Sequence, residues 1–447
     1  MNSLSIFMLQ KSKDRFNQYL TDMNPNTIRK VAIVGYNRIP FARANTAYAN
    51  VGNQEMMTAA LNGLIDKYNL KGKLLGEVAG GAVIKHTYDN NLIRECVMKT
   101  SLDPATPACD LQQACDTGIE SAVYIANKIA LGQIESGIAG GVDSISDMPI
   151  AVSEKLRKIL LEARQAKSLG GKIKTFLKLR PKDLSPLVPK NEESQTGLSM
   201  GGHTEITAKH YKISREDQDE FALKSHLNMA KAYDEGFFDD MITPFNGLEK
   251  DNNLRKDSTI EKLAKLKPAF DKVNGTLTAG NSTPLTDGAS CVLLASEEWA
   301  KENGLPILAY ITFAEIAAIE YVKNQQNLLL APLFAVSRML EKAGLNLQDF
   351  DYYEIHEAFA AQVLATLKIW ESSELSESIG LKKTLGAIDR EKLNVKGSSL
   401  AAAHPFAATG GRIIGVMAKL LNEKGSGRGL VSICAAGGQG VTMIIEK

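Results

Sequence analysis

The sequence predicts an α/β fold built as two similar halves with a helical, loop-rich layer inserted between them. Three observations carry this. Buried-type apolar runs alternate with segments of helical spacing, the pattern of a mostly parallel sheet covered by helices. A Thr-Gly, helix, strand-Gly-Gly sequence occurs twice, once through Thr117-Gly118 and Gly140-Gly141 and again through Thr409-Gly410 and Gly437-Gly438. Between these copies, from Ala151, the texture turns helical and strongly basic.

Taken in order, residues 1–28 read as an extension outside the fold. The opening MNSLSIFMLQKSKDRF has too short an apolar core and no small-residue cleavage site for a secretory signal. The first half is expected over 29–150, completed by 281–300. Lys30 to Gly35 is a continuous apolar run of buried-strand type. Asn53 to Tyr68 has helical spacing through Met56, Ala60, Leu61, Leu64 and Ile65. Glu77 to Ile84 reads as a strand, Asn91 to Thr100 as a short helix, and Ser136 to Gly141 as a strand ending in glycines. The inserted layer is expected over 151–280. There Lys155 to Lys182 holds ten Lys/Arg and one acidic residue, Glu162. Ser214-Arg-Glu-Asp217 opens a further helix with an N-cap serine and an acidic first turn. Strand texture returns at Ala289 to Leu294. The second half is expected over 301–447. It has strands at Ile307–Phe313, Phe350–Ile355 and Leu430–Gly438, and helices at Ala331–Ala343, Ala358–Trp370 and from Ala407 to Leu421.

Composition narrows the function. The 447 residues exceed one ordinary core, and 44% apolar with 23% charged residues describe a globular chain. A net charge of +1 gives no global field for nucleic acid, and no nucleic-acid partner is expected. Five cysteines without a CxxC pair suggest neither a disulfide framework nor a zinc ribbon, and fit a reducing compartment. No apolar run approaches the roughly 18 residues of a membrane span. A bacterial cytoplasmic protein is the expectation.

The stretch DLQQACDTGIESAVY (110–124) holds the first chemical candidate. Cys115 falls at or just before the first turn of a helix running to about Leu131. Unpaired backbone N–H groups and the positive end of the helix dipole there favour a thiolate, the nucleophilic form. A buried structural cysteine is the competing reading. Three further stretches stand at strand ends or glycine-rich turns: His356-Glu-Ala-Phe-Ala360, Ala403-His-Pro-Phe-Ala-Ala-Thr-Gly410 and Cys434-Ala-Ala-Gly-Gly-Gln-Gly440. Singly each is weak, since a histidine or cysteine at such a turn more often caps or packs.

Together and in order, these stretches resemble the thiolase family, over about residues 29–447. SMGGHTEITAKHYKISREDQDEFA (199–222) and GTLTAGNSTPLTDGAS (275–290) extend the resemblance. His356, NSTPLTDGA, HPFAATG and CAAGG are most similar to the fatty-acid-oxidation subset, which contains the thiolase β-subunits of trifunctional complexes. The resemblance implies duplicated α/β/α halves with mixed five-stranded sheets and an inserted loop domain. It implies thiolytic cleavage of a 3-ketoacyl-CoA by CoA, with CoA thioesters as substrates and no bound cofactor or metal. Cys115 would attack and carry the acyl group, and His404 would take its proton. Cys434 would protonate the acetyl-CoA enolate, and His356 would serve the thioester oxygen through a water or directly. A second oxyanion hole would use the backbone N–H groups of Cys115 and Ala436. Met200, Thr283 and Phe406 are the implied substrate and CoA contacts. The resemblance also implies a homodimer or tetramer, and a partner subunit carrying the hydratase and dehydrogenase steps.

Several residues depart from the family pattern. Ser398, Ala403 and Ala331 replace glycines, where an added Cβ can crowd a close backbone approach. Asp116 beside the nucleophile would oppose a thiolate if it points inward. The alternatives are a biosynthetic acetoacetyl-CoA thiolase, and a decarboxylating or aldol-type condensing enzyme, which normally lacks a second cysteine such as Cys434. A CoA-binding scaffold with a decayed site is opposed by the survival of all four chemical side chains. The basic stretch 155–182 is amphipathic, as expected of a solvated helix, of a segment lying on an anionic membrane, or of a surface meeting CoA phosphates or a partner.

Overall fold

A computed structural model describes residues 28–447. The extension read over 1–28 therefore lies, but for Ile28, outside the described residues. Ten strands form: β1 Val31–Arg38, β2 Ala42–Arg43, β3 Glu77–Gly80, β4 Ala108–Asp110, β5 Ser136–Asp143, β6 Thr286–Ser296, β7 Ala309–Ala318, β8 Tyr352–Ile355, β9 Arg428–Ala435 and β10 Gln439–Glu446. Nine lie in one path, β4-β3-β5-β6-β1-β7-β10-β9-β8, and β2 pairs with β6 off it.

The path carries the duplication. Five strands, β4-β3-β5-β6-β1, belong to the first half, and β7-β10-β9-β8 repeat that order in the second. Where the first half has β4, the second has a single bridge between Tyr353 and Leu393. The halves join where β1 pairs with β7 at Val31–Ile311, Ala32–Tyr310 and Ile33–Ala309.

Alternation of strand and helix suggests a mostly parallel sheet, but the sheet is mixed. Only β3–β4, β3–β5 and β8–β9 are parallel; β1–β6, β1–β7, β5–β6, β7–β10 and β9–β10 run antiparallel. A helical crossover gives a parallel pair only where the chain returns beside the strand it left. β10 instead turns straight back from β9 at Gly437 and Gly438, whose φ of +79° and +68° suit glycine.

The helices Thr117–Ala130 and Thr409–Lys424 pack against each other and against the sheet. The second is buried on nearly every side, from Thr409 through Leu421. A helix apolar all round belongs inside a layered core. The Asn53–Lys67 helix covers the other face of β1 and β6, through Met56, Met57, Leu61 and Leu64. The helices Pro332–Ala343 and Ala360–Glu371 share the apolar core of the second half, the former directly on β7 and β10.

The inserted segment is clamped to β1 by a buried ion pair. Arg38 donates to Asp251 through both ends of its guanidinium, at 2.6 and 2.7 Å, and both side chains are 2% exposed or less. Removing one partner of such a pair costs about 3–5 kcal/mol, because a buried charge is left unpaired. The basic stretch is two helices, Glu154–Gln165 and Leu169–Phe176, rather than one. Ala166 leaves the helical region at ψ 124°, and Ser168 caps the second helix by accepting from Gly171 N.

Candidate active site

Two crossing loops build the site, and the repeated Thr-Gly pairs lock both. Before the first central helix, Thr117 Oγ1 accepts from Gln113 N at 2.9 Å and donates to Ala114 O at 2.7 Å. This ties down a loop in which Ala114 takes φ +47° and Cys115 follows it. Before the second central helix, Thr409 Oγ1 hydrogen-bonds His404 Nδ1. The two glycines then let the loops cross. A Cβ on Gly118 would lie 2.4 Å from the Ala407 carbonyl oxygen, and one on Gly410 would lie 2.1 Å from Ile119 N.

The histidines meet directly. His356 follows β8 and His404 follows the short Ser399–Ala402 helix; their ring centroids are 4.1 Å apart. His356 is fully buried and His404 is 5% exposed, and the Nε2 of each has no partner among the described residues. Burial, with the Arg412 guanidinium nearby, lowers the His404 pKa to about 3. Burial, His404 and Arg412 push His356 well down. Both rings are neutral imidazoles at neutral pH.

The cysteines lie within electrostatic reach of each other. Cys434 lies at the end of β9, 2% exposed, where burial and then Cys115 and Asp116 push its thiol well up. Cys115 is half-buried, and the Ala436 backbone N–H draws its pKa down. The Cys115 and Ala436 amides thus both act on the nucleophile's sulfur.

The thiolate expected from the helix start is not the resting state. Burial first, and then Asp116, raise the Cys115 thiol to about 12, against the smaller opposite pull of the two amides. Asp116 does point inward: it is fully buried, caps nothing, and neither carboxylate oxygen has a partner among the described residues. Burial and then Glu120 hold its carboxyl well above the usual range. The helix dipole is outweighed because desolvation acts on the whole charge. A neutral thiol must lose its proton as it attacks.

The glycine replacements differ in consequence. Ser398 (φ −136°) and Ala331 (φ −54°) both keep a negative φ, Ala331 in the helical region. Ala403 takes φ +82°, ψ 178°, which is essentially a glycine conformation.

Phe406 walls the site, its ring edge-on to His404 at 5.4 Å. The Thr283 hydroxyl donates to the Ser399 carbonyl at 2.8 Å and lies 3.1 Å from the Glu357 carbonyl, between the two histidine loops. Met200 begins the Met200–His210 helix and packs half-buried against the apolar core of the second half, the cluster that also holds Cys434. Sequence reasoning did not single out Asp143, Ser399 or Arg412. Asp143 ends β5 and accepts from Ala407 N at 2.9 Å and Ile84 N at 2.8 Å, bracing the His404 loop from the first half. The strand-Gly-Gly pattern immediately before Asp143 was its only signal. Among the described residues no group of three or more His, Cys, Asp or Glu is disposed to hold a metal.

A duplicated α/β fold that brings a loop cysteine, two neutral histidines and a second cysteine together defines an enzyme of covalent acyl transfer. The thiolase N-terminal domain matches residues 31–298 and the thiolase C-terminal domain matches 307–447. The chain belongs to the thiolase family. It is 42% identical to a 3-ketoacyl-CoA thiolase of Shewanella baltica over 424 residues, 93% of this chain and 97% of that protein. It is 41% identical to one of Yersinia pestis over the same shares. Among solved structures, the Bacillus anthracis acetyl-CoA acetyltransferase superposes with a TM-score of 0.78 at 32% identity, covering 94% of this chain and 99% of that one. Human mitochondrial 3-ketoacyl-CoA thiolase superposes at 0.76 and 28% identity, covering 94% and 100%.

Proposed function

We propose that this chain is a 3-ketoacyl-CoA thiolase, an acetyl-CoA acyltransferase of fatty-acid β-oxidation. The observation that carries this reading is the second cysteine, Cys434, buried within electrostatic reach of Cys115. The Cys115 thiol attacks the keto carbon as its proton passes to His404 Nε2. His404 Nδ1 is held by Thr409 Oγ1, and Nε2, with no partner among the described residues, is the nitrogen left to take the proton. The bond between the α and keto carbons breaks, leaving an acyl thioester on Cys115 and an acetyl-CoA enolate. Cys434 gives that enolate its proton. CoA then transfers its thiol proton to Cys434 and attacks the acyl carbonyl, and Cys115 regains its proton from His404. The Cys115 and Ala436 amides serve the acyl oxygen, His356 serves the enolate oxygen, and no prosthetic group takes part. Phe406 borders the substrate.

A biosynthetic acetoacetyl-CoA thiolase is the second reading, favoured by the likeness to the Bacillus anthracis acetyltransferase. Thiolysis of short, medium and long 3-ketoacyl-CoA substrates separates the two. Turnover with the longer chains supports β-oxidation, and turnover confined to acetoacetyl-CoA overturns it.

The active species is a homodimer or tetramer in the bacterial cytoplasm, joined by a subunit with hydratase and dehydrogenase activity. It rests against anionic membrane through 155–182. No helix among the described residues is long and apolar enough to cross a membrane. Leu169, Ile173, Phe176 and Leu177 are exposed on the inserted layer. Lys155, Arg157, Lys158 and Lys178 are paired with Asp183, Glu154 and Glu162. Lys172 and Lys174 are exposed and have no ion pair among the described residues. Each such cation near an anionic surface adds about 1 kcal/mol. Reversing both charges should abolish binding to anionic vesicles and leave kcat unchanged; unchanged vesicle binding counts against the membrane reading.

A further inference from the structure

His356 and His404 lie ring against ring, yet the protein treats their nitrogens differently. His404 Nδ1 meets a threonine that no cation touches. His356 Nδ1 meets Ser399 Oγ at 2.7 Å, and that hydroxyl is itself held by Arg412 Nη2 at 2.8 Å. Arg412 Nη2 also reaches Ser398 Oγ at 3.2 Å, and Ser398 Oγ in turn donates to Glu354 Oε2 at 3.5 Å. Every side chain in this chain is buried: Glu354, Ser398, Ser399 and His356 are 0% exposed and Arg412 is 2%. Four elements meet there: β8, the turn after it, the Ser399–Ala402 helix and the second central helix.

The donor inventory fixes the proton positions. A guanidinium has five donors and no acceptor, so Ser399 Oγ accepts from Arg412. The Ser399 hydroxyl proton is then left to donate. His356 Nδ1 is the acceptor in reach, and no other acceptor for that hydroxyl occurs among the described residues. A neutral imidazole that accepts at Nδ1 carries its proton on Nε2. The opposite tautomer would leave the serine proton without an acceptor in a fully buried place, which costs about 1–3 kcal/mol. The permanent Arg412 charge also opposes an imidazolium at His356.

We propose that Arg412, acting through the Ser399 hydroxyl, is a positioning residue that holds His356 as the Nε2–H tautomer. The inference deepens the reading above, since it rests on His356 facing the thioester oxygen of the substrate. His356 Nε2 is fully buried and has no partner among the described residues. As an N–H it donates to oxygen where enolate charge develops; as a bare nitrogen it would repel that charge. Only at His356 does a permanent cation fix the direction of the hydroxyl that meets Nδ1, and His356 is thereby left with an Nε2–H to donate. Ser398 and Glu354 complete the arrangement, Ser398 by accepting from the same Arg412 nitrogen and Glu354 by accepting from Ser398.

The test reads the tautomer without turnover. In the full-length, substrate-free protein labelled with 15N-histidine, the His356 signals are assigned by their loss in His356→Asn. The expected pattern is a pyridine-type Nδ1 and a pyrrole-type Nε2. Ser399→Ala should mix the tautomers and lower kcat about tenfold or more with KM within twofold, less than the roughly 10²–10³ loss on removing an oxyanion donor outright. Ser399→Thr, which restores the hydroxyl, should recover both. Arg412→Met should behave like Ser399→Ala in the tautomer signal. If Arg412→Met does not fold, the serine pair decides alone. A pyrrole-type Nδ1 in the unsubstituted protein overturns the proposal, and so does a Ser399→Ala protein with unchanged tautomer and kcat. A protein with the expected tautomer but no thiolysis would instead overturn the functional reading and leave this one standing.

Discussion

Gly118 and Gly410 face each other backbone to backbone where the two central helices cross. A Cβ built on Gly118 comes 3.3 Å from Gly410 Cα, and one on Gly410 comes 2.5 Å from the Gly118 carbonyl carbon. These are corresponding residues of the repeated Thr-Gly motif, so the duplication meets itself at the site. The crossing sets Cys115, three residues before Gly118, against the loop that carries His404.

Gly410→Ala should therefore part the helices. Its neighbours are main chain and cannot swing away, so the cost should reach the upper end of the roughly 1–3 kcal/mol typical of overpacking. Chemical denaturation measures the loss, and kcat should fall with it. An alanine protein of unchanged stability and activity would remove the crossing from the account.

Ala403→Gly should act in the opposite direction. Ala403 holds φ +82°, ψ 178° one residue before His404, and such strain costs of order 1–3 kcal/mol. Glycine relieves it at the expense of some unfolded-state entropy, so a net gain of about 1 kcal/mol is expected. A lower denaturation midpoint for the glycine protein would contradict the strain.

The resting Cys115 is a thiol. Its alkylation by iodoacetamide in the substrate-free protein should be slow at neutral pH and still rising above pH 9, in line with a pKa raised to about 12 by burial and Asp116. Asp116→Asn should shift that rise to lower pH. Full reactivity at pH 7 would show that the helix start wins after all.

Glu120 supplies a stability test. Burial raises its carboxyl to about 7, and Glu120 Oε2 has no partner among the described residues. A carboxyl with a raised folded pKa binds more protons folded than unfolded between about pH 4 and 7, so it destabilises progressively as pH rises through that window. Glu120→Gln should raise Tm at pH 8 and make no difference at pH 4. An equal effect at both values would place the cause elsewhere.

The chemical side chains were legible from sequence because each stands in a short local motif. Cys115, His356, His404 and Cys434 all sit at strand ends or helix starts, where periodicity breaks. What the sequence concealed is what acts over distance. Desolvation at Cys115 depends on the packing of the second half, and no local pattern reports it. Ser399 and Arg412 look like an ordinary buried serine and a helix arginine until the fold brings them to His356. Strand β10 was missed because the Gly437-Gly438 turn read as the end of a strand rather than the middle of a hairpin. The basic stretch read as one helix because helical spacing runs across Ala166, where the chain in fact bends.

The central claim is that Cys115 carries the acyl group between two CoA partners. Intact-mass spectrometry after mixing the protein with a 3-ketoacyl-CoA, without free CoA, tests it directly. The account predicts one shortened acyl group per chain, localised to Cys115 by peptide mapping, discharged on adding CoA and absent from Cys115→Ala. An adduct that persists in Cys115→Ala, or that CoA does not discharge, would contradict it.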